Sequence, residues 1–333
     1  MNPVVTIITP TFNHGKYIKE CIDSVLNQSF PQWEQIIIDD GSTDSTIETV
    51  ESYNDERIRL IRQPHKGVEN LKDTYNDALN LAKGEYVAIL EGDDYWLPNK
   101  LEKQVPLFDN KEVDFVWGAA NWVHEDGRHI LSAPNDIQRY SGFSRHQYIR
   151  ELLMGNFIPA VTVMLRKDKL LSIGGFQQTP YMVTVDYPTW LQSVVNGETA
   201  VVPEVIGCWR RHSTQMSTAR QHELLDCTLD FACEFFEKLP AAIKEKTEFD
   251  ENIIRTHWNN NIAESCFHEG RKCLLKKKWD LARKEFINSI AKGNLSVRIK
   301  SILGMFASYG HFNIEGIAHA IGKERIDNND IWI

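Results

Sequence analysis

The sequence has no run of about 18 consecutive apolar residues, the length that a membrane-spanning helix requires. Its first residues, MNPVVTIITPTFN, lack the basic stretch and apolar core of a secretory leader. Six cysteines are present (Cys21, Cys208, Cys227, Cys233, Cys266 and Cys273), but none forms a Cys-x-x-Cys pair. That spacing argues against a zinc or dithiol motif and predicts free thiols in a reducing, cytoplasmic setting. An excess of basic charge is also missing. Lys and Arg total 37 against 46 Asp and Glu, a formal net charge of -9, which argues against a nucleic-acid partner. The same acidity would repel a phosphate-bearing ligand unless a cation stood between them.

What is present suits a globular enzyme. The chain has 333 residues, 42% hydrophobic and 25% charged, enough for one large domain with an appendage or for two domains. Val4 to Thr9, Gln35 to Asp39, Ile58 to Arg62 and Tyr86 to Leu90 are short apolar or β-branched runs. They alternate with stretches of helical periodicity, such as Tyr17, Ile18, Cys21, Ile22, Val25 and Leu26. Strand and helix in alternation predict a mostly parallel sheet flanked by helices, with ligands beyond the carboxyl ends of its strands. The polar loops TPTFNHG, DDGSTDS and EGDDYW each follow such a strand. Further on, Phe115 to Val123 and His129 to Leu131 flank a turn at Glu125-Asp126-Gly127 and predict a hairpin. Ala160 to Arg166 and Val205 to Trp209 predict strands, and Asp186 to Val195 a helix. Beyond about residue 220 the pattern is wholly helical.

An ordered series of segments carries a resemblance: VTIITPTFN, QIIIDDGSTDST, ALNLAKGEYVAILEGDDYWLPNKLEKQ, LLSIGGF, VDYPTWLQ and WRRHSTQMS. In this order and spacing, over roughly residues 3 to 217, the chain resembles glycosyltransferase family 2. The resemblance implies a GT-A fold, Rossmann-like, over residues 1–218, with a nucleotide-binding half at 1–112 and an acceptor-binding half at 113–218. Residues 219–333 form a helical C-terminal region outside it. It also implies an inverting, metal-dependent transferase that moves a sugar from a nucleotide-diphosphate donor to an acceptor hydroxyl. Uridine donors lead, with thymidine and guanosine donors open. Bacterial cell-surface polysaccharide assembly, with a saccharide or lipid-linked saccharide as acceptor, follows by analogy with the family.

Residue by residue, the resemblance makes Asp93 of EGDDYW the primary ligand of Mn²⁺ or Mg²⁺, hard cations that favour oxygen donors. Asp94 would position the metal's water or the sugar. Glu91 stands where aspartate is usual and is a second candidate ligand. Asp40 would accept a hydrogen bond from the base, with Pro10 and Phe12 lining the same pocket. Asp186 matches the general base, and a single catalytic carboxylate with no paired nucleophile favours one displacement and inversion. His212 matches a histidine at the metal or diphosphate. Of the two arginines before it, only one can point inward from an extended segment, and Arg211 is preferred for the phosphates. Trp96 is the tryptophan expected to line the site. Thr74-Tyr75-Asn76 replaces the family's common Ala-Arg-Asn.

Two other readings stay open: a catalytically inactive sugar-nucleotide-binding scaffold and a sugar nucleotidyltransferase. The basic run KCLLKKKW, residues 272 to 279, is either a solvated helix face or a peripheral contact with anionic lipid at the inner face of the cell membrane.

Overall fold

The computed structural model describes residues 2–216 and 220–312. The chain divides into two compact units, Met1–Ser213 and Thr214–Ile333. Ser217, the last residue of WRRHSTQMS, and the expected domain boundary at 218/219 both touch residues 217–219, which lie outside the described ones.

The first unit is built on one sheet. Its strands are β1 (Val5–Thr11), β2 (Trp33–Asp39), β3 (Ile58–Arg62), β4 (Tyr86–Ile89), β5 (Tyr95–Trp96), β6 (Val113–His124), β7 (His129–Ala133), β8 (Met164–Arg166) and β9 (Glu198–Arg211). They lie in the order β3-β2-β1-β4-β8-β6-β9-β5, with β7 paired to β6. β1, β2, β3 and β4 run parallel, and β9 runs parallel to β6. The remaining pairings are antiparallel, including the β6–β7 hairpin. β1 and β2 are buried along their whole length, as strands covered on both faces must be, and this explains their near-continuous apolar runs.

Helices α1 (Ile18–Leu26), α2 (Thr46–Glu51), α3 (Leu71–Leu81), α4 (Lys100–Gln104), α5 (Arg145–Met154), α6 (Lys167–Ser172) and α7 (Asp186–Asn196) flank the sheet. α1 buries Ile18, Cys21, Ile22 and Val25, the stripe its spacing predicts. All six cysteines are buried and free. One expectation is shortened: Ala160–Thr162 form a 3₁₀ turn, and only Met164–Arg166 pair as a strand. Thr162 spends its hydroxyl on the carbonyl of Pro159, which favours the turn over extension.

The second unit contains α8 (Gln221–Lys238), α9 (Ala241–Thr247), α10 (Glu251–Leu275), α11 (Trp279–Lys292) and α12 (Leu295–Tyr309). Phe286 of α11 is fully buried between two glycines: a Cβ at Gly270 or Gly304 would stand 2.6 or 2.4 Å from its ring. Among the described residues no helix is long and apolar enough to cross a membrane.

Candidate active site

Because β2, β1 and β4 are parallel neighbours, the loops that follow them emerge along one edge of the sheet. Backbone hydrogen bonds lace these loops together. The Asp40 amide donates to the Thr11 carbonyl (2.9 Å), and the Gly92 amide donates to the Pro10 carbonyl (3.1 Å). Pro10 is therefore buried, and it ties β1 to the Glu91-Gly92-Asp93-Asp94 loop. Gly92 leaves no room for a side chain, since a Cβ would sit 2.6 Å from the Thr11 hydroxyl and 2.8 Å from His14 Nδ1.

In the second loop Asp39 shapes the turn, its carboxylate accepting from the amides of Gly41 (3.1 Å) and Ser42 (2.9 Å). Gly41 adopts φ 80°, a conformation that glycine accommodates without strain. Asp40 faces the segment after β3. Its carboxylate accepts from the amides of Lys66 (2.9 Å) and Gly67 (3.0 Å) and from Gln63 Nε2 (2.7 Å). His65 Nδ1 lies 3.0 Å from the same group, and the His65 ring stacks on Phe12 at 4.3 Å. Phe12 is 39% exposed, so one aromatic face remains toward solvent beside the Asp40 loop.

The third loop holds the densest charge. Asp93 is buried, with Oδ2 3.0 Å from His212 Nε2 and 3.8 Å from His14 Nε2. Burial pushes its pKa up, but attraction to His14 and the hydrogen bond to His212 outweigh that, and Asp93 lies below the usual aspartate value. Asp94 turns inward to accept from the Arg210 amide on β9 (2.8 Å). Burial, then repulsion from Asp93 and Glu91, raises its pKa well above the usual aspartate range. Glu91 accepts from the Tyr75 hydroxyl (2.7 Å), while its other oxygen is buried without a hydrogen bond. Burial, with repulsion from Asp93 and Asp186, lifts it to about 7 against the pull of Tyr75.

Asp186 is the first residue of α7, and no side chain caps that helix. Asp186 is thus not occupied as an N-cap. Asn156 donates to one oxygen (2.7 Å), and the other is buried without a partner. Burial raises its pKa. Because Glu91 and Tyr75 both feel its charge as well as that of Asp93, the three carboxylates share one electrostatic site.

Two expectations are corrected. Trp96 does not line the site. It is 2% exposed, its indole donates to the Val161 carbonyl (2.7 Å), and Lys100 covers its ring at 4.1 Å. The arginine facing Asp93 is Arg210 and not Arg211. Arg210 Nε donates to the Asp93 carbonyl (2.9 Å), and its guanidinium also bonds the Glu125 carbonyl (3.0 Å) and the Glu20 carboxylate. Alternation along β9 sends Arg211 to the opposite face, where it packs over Trp122 and Trp209 and burial lowers its pKa to about 10. His212 falls on the Arg210 side. The sequence reading also missed His14, Asn156 and the Tyr75–Glu91 contact. Only Arg210 had a usable signal, its two-residue spacing from His212.

The residues at Asp93 suit a hard divalent cation. One ionised carboxylate and an imidazole converge on one point in acidic surroundings, with the unpaired Glu91 oxygen in the same loop. No three His, Cys, Asp or Glu side chains among the described residues close a cage, so further ligands would be phosphate and water oxygens.

The glycosyl transferase family 2 model matches residues 6–171. A Bacillus subtilis protein named for a glycosyltransferase role in teichuronic acid biosynthesis, TuaG, is 32% identical over 204 residues, 60% of this chain and 75% of that protein. The Escherichia coli UDP-Glc:α-D-GlcNAc-diphosphoundecaprenol β-1,3-glucosyltransferase, WfgD, is 31% identical over 189 residues, 56% of this chain and 68% of its own. Among solved structures, S. aureus TarS 1–349 in complex with UDP-GlcNAc superposes with a TM-score of 0.59 at 16% identity, covering 98% of this chain and 95% of that one. At that identity the likeness speaks for the fold.

Proposed function

Since the chain belongs to glycosyltransferase family 2, we propose that it transfers a sugar from a UDP-sugar to an acceptor hydroxyl with inversion, as a metal-dependent step of bacterial surface-polysaccharide assembly. The observation that carries this reading is the group of Glu91, Asp93 and Asp186, drawn from a strand end and a helix start into mutual electrostatic contact with His212 on Asp93. An acidic constellation of this kind is costly to fold and gains a purpose when cationic and hydroxyl ligands enter it.

Asp186 is assigned as the general base. Its raised pKa makes it a stronger proton acceptor than an exposed aspartate, and its unpartnered oxygen can take a hydroxyl proton as the acceptor oxygen attacks the anomeric carbon. Asn156 fixes the carboxylate's orientation. Asp93 and His212 would hold Mn²⁺ or Mg²⁺, which when bound offsets the charge of the departing diphosphate. Arg210 fixes the Asp93 backbone, while Glu91, held by Tyr75 and feeling the charge of both Asp93 and Asp186, serves as a positioning group. Phe12, Pro10, Asp40 and the His65–Gly67 segment form the nucleotide side, where the open face of Phe12 offers a stacking surface for the base.

The uridine assignment draws support from WfgD, named for a UDP-glucose donor, and from the UDP-GlcNAc complex of TarS. WfgD's diphosphoundecaprenol acceptor supports a lipid-linked acceptor, which would bring the chain to the cytoplasmic face of a membrane through its C-terminal helices. The test is a panel of nucleotide sugars with Mn²⁺ or Mg²⁺, reading nucleoside diphosphate release. Release from a uridine donor, lost on chelation, is expected. Absence of release from every donor would return the chain to the inactive-scaffold reading.

A further inference from the structure

α12 packs inside out. Its buried residues are Val297, Ser301, Gly304, Ala307 and Ser308, nearly all small. Its large apolar side chains, Leu295, Ile299, Ile302, Leu303, Phe306 and Tyr309, are 37–74% exposed. At about 100° per residue these six occupy one arc of roughly 120°, centred opposite the buried face. The small face has a structural reason, because Gly304 is pressed against the Phe286 ring and Ser301 bonds Ser289 (2.8 Å). The outward face has none among the described residues. An ordinary surface helix of a globular protein turns its apolar stripe inward and its polar residues out.

The charges on α12 say what would cover that face. It carries Arg298 and Lys300 and no acidic residue. On the same helical projection Arg298 lies just beyond one edge of the apolar arc and Lys300 beyond the other. Arg283 of α11 lies at the far end, its guanidinium 4.8 Å from the Tyr309 ring centroid and paired with Asp280. Apolar side chains flanked by cations match the layering of a bilayer surface, with acyl chains below and anionic headgroups beside them. A second copy of this chain would set the cations of one α12 near those of the other.

We propose that α12 is a docking surface for the anionic face of a phospholipid bilayer, lying in the plane of the interface. This deepens the lipid-linked acceptor reading and rests on it for its purpose. It also relocates the membrane contact from the lysines of residues 272–279 to the helix that displays the apolar area.

The test is sedimentation of the full chain with phosphatidylcholine vesicles, with and without phosphatidylglycerol, in the absence of any acceptor. The wild-type chain is expected to pellet with the anionic vesicles and far less with the neutral ones. Leu303→Glu with Phe306→Glu should abolish pelleting. Arg298→Ala with Lys300→Ala should weaken it roughly thirtyfold, about fivefold for each cation at an anionic surface. Leu303, Phe306 and Arg298 are exposed and Lys300 is half-buried, and both doubles should retain wild-type circular dichroism and metal-dependent donor hydrolysis in solution. A wild-type chain that stays in the supernatant, or a Leu303→Glu/Phe306→Glu chain that pellets like wild type, would overturn the proposal. So would a wild-type dimer in solution that the same double variant converts to monomer, since the face would then join two copies. Loss of donor hydrolysis in the wild type with vesicle binding intact would instead sink the transferase reading and leave the docking surface standing.

Discussion

The loops after β2 and β4 are both acidic and both leave the same edge of the sheet, yet Asp40 in the first and Glu91 and Asp94 in the second are treated in opposite ways. In the β2 loop Asp40 accepts two backbone amides and one side-chain amide, and Asp39 Oδ2 accepts two more amides while its Oδ1 stays buried without a hydrogen bond. In the β4 loop Glu91 keeps a buried oxygen without a hydrogen bond, and repulsion adds to burial in lifting Glu91 and Asp94. A carboxylate saturated by its own backbone organises a loop, whereas crowded, incompletely bonded carboxylates are costly and persist where a ligand completes them. On this contrast the β4 loop with Asp186 does the chemistry, and the β2 loop shapes the nucleotide side.

The largest effect expected from the contrast is at Asp186. Asp186→Asn should lower transfer by about 10³–10⁴-fold while donor affinity stays within about twofold, since only a proton acceptor is lost. Initial rates and a donor titration would check this, and a large affinity loss would move Asp186 to the donor side. In the wild type, kcat/KM should fall as pH drops through a pKa above the ordinary aspartate value of about 3.9, because the base must be ionised to work.

The opposite kind of loop should respond in stability first. Asp40→Asn turns an amide NH₂ toward amide donors and should cost about 1–3 kcal/mol, read as a lowered melting temperature, together with weaker nucleotide binding. If the melting temperature is unchanged while binding collapses, the saturation of Asp40 is not what matters, and the comparison breaks.

An effect of similar size, and the one that sharpens the contrast most, is at Glu91. Between its ordinary value of about 4.3 and its folded value of about 7, the folded chain holds a proton that the unfolded chain has released. The stabilisation this gives is complete below that window and gone above it. Glu91→Gln, always neutral and still able to accept from Tyr75, should flatten this dependence and stabilise the chain above pH 7 by about 1–3 kcal/mol in melts run with chelator. A variant less stable than wild type at that pH would mean Glu91 is satisfied after all.

The sequence was most informative where one physical pattern dominates. Runs such as VTIIT and QIII can bury both faces only as inner strands, so β1 to β4 and the loops after them were legible. Asp93, Asp186 and His212 were named from the sequence as an ordered set; His212 contacts Asp93, and the charge of Asp186 reaches Glu91 of the same loop. The misses share a cause, since each depends on which neighbour a side chain meets. Val161 and Thr162 are β-branched and look extended until Thr162 bonds back to Pro159. Trp96 adjoins the acidic loop in sequence, but its indole finds a carbonyl in the core. Tyr75 and Glu91 each departed from the family pattern, and only the fold shows that the two departures touch. α12 falls in the stretch beyond residue 220 that reads as wholly helical, but its outward apolar face required knowing that Phe286 demands a glycine opposite it.

The central claim is that Asp93 and its imidazole partner gather a divalent ion through which an acidic cleft holds a diphosphate. Calorimetric titration of UDP into the chain, in Mn²⁺ and in chelator, for wild type, Asp93→Ala and Asp186→Asn, tests it most directly. Wild type and Asp186→Asn should bind UDP at least about a hundredfold more tightly with the metal, and Asp93→Ala should lose that gain. Equal affinity in Mn²⁺ and in chelator for the wild-type chain, or a gain that survives Asp93→Ala, would contradict it.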